Sequence, residues 1–293
     1  MTQLVHSQGE LDAALGRGRG SQPPVATVMT MGALHAGHAS LMSAARAAVG
    51  PSGRVVVTVF VNPLQFGAGE DFARYPRTLP DDVVVATAAG ADLVYAPSVE
   101  DVYGAADPGA MGGTSRVTID PGLDGDILEG AARPGHFRGV LTVVGMLMLR
   151  TGCQVAPFGE KDYQQLALVT RMVDHLGLNV QVIPVPTVRD PDGLALSSRN
   201  RYLSSDERQV ALSIPRALAA AAAAGPAGAA AAQEAARAVL LAQDGLDLDY
   251  AVVRGVDLGS APAKGAARLL IAARVGTTRL LDNAPVQIGD TDG

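Results

Sequence analysis

Val25-Ala26-Thr27-Val28-Met29-Thr30-Met31-Gly32-Ala33-Leu34-His35-Ala36-Gly37-His38 runs from a β-branched segment, through a loop carrying two glycines, into a helical pattern. Val25 to Val28 suits a buried strand. Beyond the loop, Leu41, Ala44, Ala45 and Ala48 fall on one helical face. Gly32 and Gly37 allow a tight turn and a close approach of the backbone to a ligand. A loop that leaves a strand and opens a helix turns unsatisfied N–H groups toward the strand's end, which suits an anion. His35 and His38 are three residues apart and share a side of the first turn, where imidazoles can donate to phosphate oxygens. The stretch alone predicts a phosphate site on a strand–helix turn. It names no reaction, and two surface histidines on an ordinary turn are its plainer reading.

Working outward, Arg54 to Val61 is a second near-continuous β-branched run, typical of a parallel strand buried on both faces. It ends in Asn62-Pro63-Leu64-Gln65, so polar groups sit at a strand's carboxyl end, where ligands bind in open α/β sheets. A helix over about 83–89 and a strand at 93–96 complete a β-α-β unit. Residues 97–130 are rich in Gly, Pro and Asp, with a strand candidate at 115–119. Arg133-Pro134-Gly135-His136-Phe137-Arg138-Gly139 leads into an apolar helix over 140–149, then a strand at 154–158. Gly159-Glu160-Lys161-Asp162 lies at that strand's end and opens a helix over 163–176, and a strand follows at 179–185. The alternation predicts an α/β fold with a doubly wound parallel sheet over residues 1–187.

After Pro186 the texture changes. Asp190-Pro191-Asp192-Gly193 is a turn signal, and Ser204 with Glu207 has capping-box spacing. Two Ala-rich helices split at Gly225-Pro226. Strands are expected at 250–253, 268–273 and 277–288. Residues 188–293 are thus a smaller α+β domain.

The chain has 293 residues, of which 48% are hydrophobic and 18% charged, which excludes a disordered class. A formal net charge of -6 argues against a nucleic-acid partner. The single cysteine, Cys153, rules out an internal disulfide and fits a reducing compartment. No secretory signal is expected, because Glu10 and Asp12 interrupt the N-terminus, and the 140–149 run is too short to span a bilayer. The expectation is a cytoplasmic protein with no membrane association.

Lys161 can face phosphates as a point charge and Asp162 can accept from ribose hydroxyls, although a charged first helical turn looks the same. Leu196-Ser197-Ser198-Arg199-Asn200 offers two hydroxyls and a guanidinium for a triphosphate, or is a polar hinge. Gln65 and Gln165 can grip hydroxyl and carboxylate oxygens without pairing a nucleophilic carboxylate to a cation.

With Phe60 to Gly67, Tyr75-Pro76-Arg77-Thr78 and Phe158 to Gln165, these pieces stand in an order that resembles the pantothenate synthetase (pantoate–β-alanine ligase) family along almost the whole chain. The resemblance implies a Rossmann-like fold of the HIGH-type nucleotidyltransferase superfamily, whose second domain closes over the active site. It implies condensation of pantoate with β-alanine, ATP going to AMP and pyrophosphate through a pantoyl adenylate, with Mg²⁺ accompanying the ATP and a homodimeric assembly. By position it implies ATP contacts from Met31, Gly32, Ala33, Leu34, His35, Ala36, Gly37 and His38. Gly159, Glu160, Lys161, Asp162, Val188, Leu196, Ser197, Ser198 and Arg199 would contact ATP as well. The catalytic residues would be His38, as proton donor, with His35, Lys161 and Arg199. Pantoate would fall to Gln65 and Gln165, β-alanine to Gln65 and Asn62, and metal to Asp81 and Asp82. Met29 replaces the family's usual proline and is expected to loosen the start of the loop. Met146 replaces a helical lysine, and 151–157 also departs from the pattern. An adenylyltransferase and a catalytically weak paralogue that binds ATP or pantoate remain alternatives at this point.

Overall fold

A computed structural model describes residues 2–18, 22–67, 70–104 and 117–289. The chain forms two compact units, Met1–Gly159 with Leu168–Val185, and Glu160–Ala167 with Pro186–Gly293.

The first unit is built on strands β1 (Gln3–Val5), β2 (Val25–Thr30), β3 (Arg54–Val59), β4 (Leu93–Tyr95), β5 (Val155–Gly159) and β6 (Gln181–Val185). They lie in the order β1-β4-β3-β2-β5-β6, every pairing parallel. Its helices are α1 (Gln8–Leu15), α2 (Ala36–Val49), α3 (Leu79–Ala88), α4 (Val99–Tyr103), α5 (Glu129–Ala132) and α6 (His136–Thr151). Helix α7 (Tyr163–His175) starts in the second unit and ends in the first.

The β-branched runs become strands because helices cover both sheet faces. Ala26, Val28, Val55, Val57 and Val94 share one core cluster with Met42, Ala45 and Val49 of α2 and Ala86 of α3. Thr27, one residue along β2 and so on the opposite face, donates its hydroxyl to Thr151 at the end of α6 (2.9 Å). The strand order reverses between β2 and β5, and at such a point the carboxyl ends of the strands leave a crevice for a ligand. The loop after β2 opens there.

The second unit holds a three-stranded antiparallel sheet, β7 (Leu246–Gly255), β8 (Gly265–Val275) and β9 (Thr278–Ile288), with helices α8 (Ser205–Ala211), α9 (Ser213–Ala224) and α10 (Ala229–Leu241). Ile214, Ala217, Leu218, Ala221, Ala232, Ala236 and Leu240 bury one side of the Ala-rich pair against Leu269, Ile271 and Ala273. Small alanines let the two helices pack closely. By length and composition alone 205–227 would cross a membrane, yet this buried face belongs to the core of the unit.

Several expectations change. Met29 lies inside β2 in register with Thr58, so the ladder continues past it and the loop is not loosened there. The strand candidate at 115–119 begins outside the described residues, and 117–119 form no strand. β1, only three residues long, was not anticipated, and the Glu160–Ala167 segment groups with the second unit.

Candidate active site

The loop after β2 is held from inside and below. His35 is the N-cap of α2, and its Nδ1 accepts from Gly37 N (3.1 Å). His38, three residues on, returns the bond: its Nδ1 accepts from His35 N (3.2 Å). The result is a capping box made of two imidazoles, their ring centroids 4.1 Å apart. A nitrogen that accepts a backbone N–H carries no proton, so each neutral ring holds its proton on Nε2. Both rings are therefore Nε2–H donors at a helix N-terminus, a site that also favours negative charge through the macrodipole.

Asp82 fixes this loop. It is 2% exposed, accepts from Leu34 N (2.8 Å) and takes the Thr78 hydroxyl. Its carboxylate is thus committed to the protein, whereas Asp81 beside it is exposed. Gly32 stands at φ +86, and a Cβ there would sit 2.9 Å from Asp82 Oδ2. The loop needs glycine for both reasons.

After β3, the side chain of Asn62 uses its whole hydrogen-bonding capacity. Its Oδ1 accepts from Tyr103 Oη (2.6 Å) and Leu64 N (3.2 Å), and its Nδ2 donates to Gln65 Oε1 and Gly139 O (both 3.1 Å). At 1% exposure it stands behind Gln65 and orients that amide, whose Nε2 lies 3.0 Å from Met31 Sδ. Gly139 of α6 lets the helix lie directly on the 64–65 backbone, where a Cβ would fall 2.3 Å from Leu64 O. Because that neighbour is main chain, Gly139→Ala is expected to cost about 1–3 kcal/mol of stability. Urea unfolding of the variant beside the parent checks this.

His136 backs the same loop. Its Nδ1 lies 2.9 Å from Gln65 O and its Nε2 3.0 Å from Arg133 Nη1. Burial first, and the Arg133 charge second, push its pKa down to about 4, against the opposing pull of the Gln65 carbonyl, Glu70 and Glu129. The unfolded chain protonates this ring near the usual 6.5, so below that pH the unfolded state binds the extra proton. Stability should therefore fall from pH about 6.5 to about 4 by on the order of 2–3 kcal/mol and then level off. Denaturant titrations across that range should show that part of the slope disappearing in His136→Asn.

In the second unit, Lys161 sits on a turn held by its own backbone. Asn283 Nδ2 donates to Glu160 O (2.9 Å) and Lys161 O (2.8 Å). The Glu160 carboxylate takes Arg268 Nη2 (2.8 Å), and that guanidinium stacks 4.0 Å from the Tyr163 ring centroid. Glu160 thus braces the turn with its side chain. Lys161 Nζ lies 3.3 Å from Asp162 Oδ1. It lines a pocket with Ser197, Arg199, Asn200, Arg279 and Asp282.

The other wall of that pocket is equally fixed. Leu196 N donates to Val188 O (2.9 Å), which closes a hairpin. Arg189 spans to Asp282 through two bonds (2.6 and 2.9 Å), and Arg208 clasps Asp190 and Asp192 (2.7 and 2.8 Å). Ser197 caps the short turn Ser198–Tyr202 by accepting from Arg199 N (3.2 Å). Gln165 is half-buried in the first turns of α7, next to the buried Gln164.

The histidine cap and Gln65 are therefore brought together in the first unit, and Lys161, Ser197 and Arg199 in the second. Tyr103, Arg133, Glu70, Asn283 and Arg268 were not anticipated as parts of the site. Their roles come from long-range contacts that leave no local pattern.

The family model described as pantoate-beta-alanine ligase matches residues 3–285. The chain belongs to the pantoate–β-alanine ligase family. A pantothenate synthetase from Nocardioides sp. is 53% identical over 293 residues, covering 98% of this chain and 86% of the relative. The crystal structure of the pantothenate synthetase from Thermus thermophilus superimposes with a TM-score of 0.85 at 44% identity, covering 97% of this ligase and 99% of that chain. The Francisella tularensis pantoate-beta-alanine ligase, solved in complex with β-γ ATP and β-alanine, gives 0.76 at 31% identity, covering 97% of each chain.

Proposed function

We propose that this ligase condenses pantoate with β-alanine in two displacements, ATP supplying the activation. In the first, a pantoate carboxylate oxygen attacks the α-phosphorus. The bond from that phosphorus to the bridging oxygen breaks, and pyrophosphate leaves. In the second, the β-alanine nitrogen attacks the acyl carbon of the pantoyl adenylate. The acyl C–O bond breaks, AMP departs, and the amine's proton passes to water.

The observation that carries this reading is the pair of Nε2–H imidazoles at the α2 N-terminus, beside a strand end where the sheet order reverses. Donors fixed before reaction stabilise charge as it develops on phosphate, without reorganisation at that moment. His38, His35, Lys161 and Arg199 serve the phosphates, with Ser197 and Ser198 as neutral donors. The remaining ATP contacts fall to the backbone of Met31 to His38, Gly159 to Asp162, Val188 and Leu196. Gln65 and Gln165 hold pantoate as neutral amides, which leaves its carboxylate nucleophilic. Gln65 also meets the amine substrate, with Asn62 supporting it from behind.

Mg²⁺ would enter as part of the MgATP substrate, since this cation keeps several waters and binds chiefly through substrate phosphates. We also take the enzyme to be cytoplasmic and homodimeric, with neither nucleic acid nor membrane as a partner.

Single-turnover mixing tests the order of events. Pantoate and ATP without β-alanine should release one equivalent of pyrophosphate per site, and β-alanine should then release AMP. Pyrophosphate that appears only after β-alanine is added would overturn the two-step reading.

A further inference from the structure

The His136 cluster has no part in the displacements above, yet every link in it leads to Gln65. A carbonyl oxygen only accepts and a guanidinium only donates, so the contacts at Gln65 O and Arg133 Nη1 leave one arrangement for the ring. It is neutral, with its proton on Nδ1 donated to Gln65 O and Nε2 accepting from Arg133. This is the opposite tautomer to that of His35 and His38. Arg133 is itself held in a fork by Glu70, Nε to Oε1 at 2.8 Å and Nη2 to Oε2 at 2.7 Å, and Nη2 lies 3.4 Å from Gln65 O. Two-point pairing of this kind fixes the guanidinium plane.

The Gln65 carbonyl is thus met by His136 and Arg133, and Glu70 holds the Arg133 guanidinium in place. The Gln65 side-chain amide accepts from Asn62 Nδ2, and Asn62 in turn takes the Tyr103 hydroxyl. A core histidine needs only a satisfied ring. Here one ring nitrogen meets the Gln65 carbonyl, and the other meets a guanidinium that Glu70 holds and that also reaches that carbonyl.

We propose that Glu70, Arg133 and His136 form a positioning relay for the acid substrate: a neutral His136, kept so by the guanidinium at its Nε2, fixes the Gln65 carbonyl and with it the aim of the Gln65 amide. The inference rests on the reading that Gln65 holds pantoate. The charged groups facing the ring are Arg133 at the C-cap of α5, Glu129 within α5 and Glu70 from the segment after β3. A proton added at Nε2 would meet the Arg133 N–H and break that link, so the relay works only while the ring is neutral.

Three variants and one spectroscopic measurement test this. In His136→Asn the side-chain amide can replace the Nδ1–H donor, whereas His136→Leu removes it. Gln65→Leu tests the underlying reading. Steady-state kinetics with varied pantoate and varied ATP should show pantoate KM up about tenfold in His136→Leu, within about threefold of the parent in His136→Asn, and ATP KM within about twofold in both. Gln65→Leu should raise pantoate KM by more than tenfold. Equal losses in the Asn and Leu variants, or ATP KM rising in step with pantoate KM, would reduce His136 to a packing residue. An unchanged His136→Leu beside an impaired Gln65→Leu would sink the relay alone, and an unchanged Gln65→Leu would sink the Gln65 reading first. Should His136→Leu fail to fold, nitrogen-15 spectra of the intact parent enzyme decide. The His136 ring should show Nδ1–H and stay neutral from pH 8 to 5.5, and an Nε2–H tautomer or a cation in that range would overturn the proposal.

Discussion

His38→Gln should lower kcat/KM for the overall reaction by about 10²–10³-fold while leaving the fold intact, a loss of about 2.7–4 kcal/mol of barrier stabilisation. The substitution separates two roles that alanine would merge. His38 occupies the N3 position, and its Nδ1 accepts from the His35 backbone. A glutamine at N3 makes the same return bond in an ordinary capping box. The helix start is retained, the Nε2–H donor is lost, and unfolding free energy should move by no more than about 0.5 kcal/mol. Single-turnover pyrophosphate release should carry the whole loss, because charge builds on the phosphates in that step. Equal damage to stability and rate would instead make His38 a structural cap. His35→Asn makes the companion case, since asparagine is among the best N-caps and still lacks the Nε2–H.

Lys161→Gln is the second large expectation. The turn does not depend on the ammonium, because Asn283 holds the carbonyls of Glu160 and Lys161 and Arg268 holds the Glu160 carboxylate. Loss of the charge should therefore act on chemistry, slowing pyrophosphate release by about 10²–10³-fold with pantoate KM little changed. Supplied with chemically made pantoyl adenylate, the variant should couple β-alanine at a rate close to the parent's. A comparable deficit in that second half-reaction would mean that Lys161 serves positioning more than charge. Asn283→Leu offers the contrast. It strips two carbonyls of a donor at a residue 4% exposed, so it should lose stability, by about 1–3 kcal/mol for a buried group left unsatisfied.

How much of this was readable along the chain depends on the range of the interaction. β2, β3 and the loop between β2 and α2 were legible because β-branched runs, a glycine and a helical stripe lie within a few residues of one another. The histidine pair was legible for the same reason, since its spacing of three is itself the capping box. The Ser204–Glu207 cap and the break at Gly225-Pro226 were equally local. β1 was not legible: its three residues carry no period, and their pairing partner is β4, about ninety residues on. β7 is longer than the 250–253 run because Asp247 and Asp249 alternate outward on one edge, and that reads as polar sequence.

Side-chain roles were harder still. Asn62 and Asp82 are polar residues at strand and helix ends, the same local pattern that marks a ligand contact. Burial at 1% and 2%, with all or most of their bonds made to protein, shows that they hold Gln65 and the histidine loop in place. Glu160 lies by position among the ATP contacts that the resemblance implies, yet its carboxylate braces Arg268 of β8, more than a hundred residues away. His136 illustrates the limit most sharply. Its position after Pro134-Gly135 suggests a helix start, but its tautomer follows only from Arg133 and a carbonyl on another element.

In the proposed reaction the acid itself becomes the activated species, and an oxygen label follows it through both displacements. Pantoate carrying ¹⁸O in its carboxylate, turned over with ATP and β-alanine, should deliver one labelled oxygen to the phosphate of AMP, because the acyl C–O bond breaks in the second displacement. AMP free of label, with the departing carboxylate oxygen found in pyrophosphate or in water, would contradict activation as an adenylate.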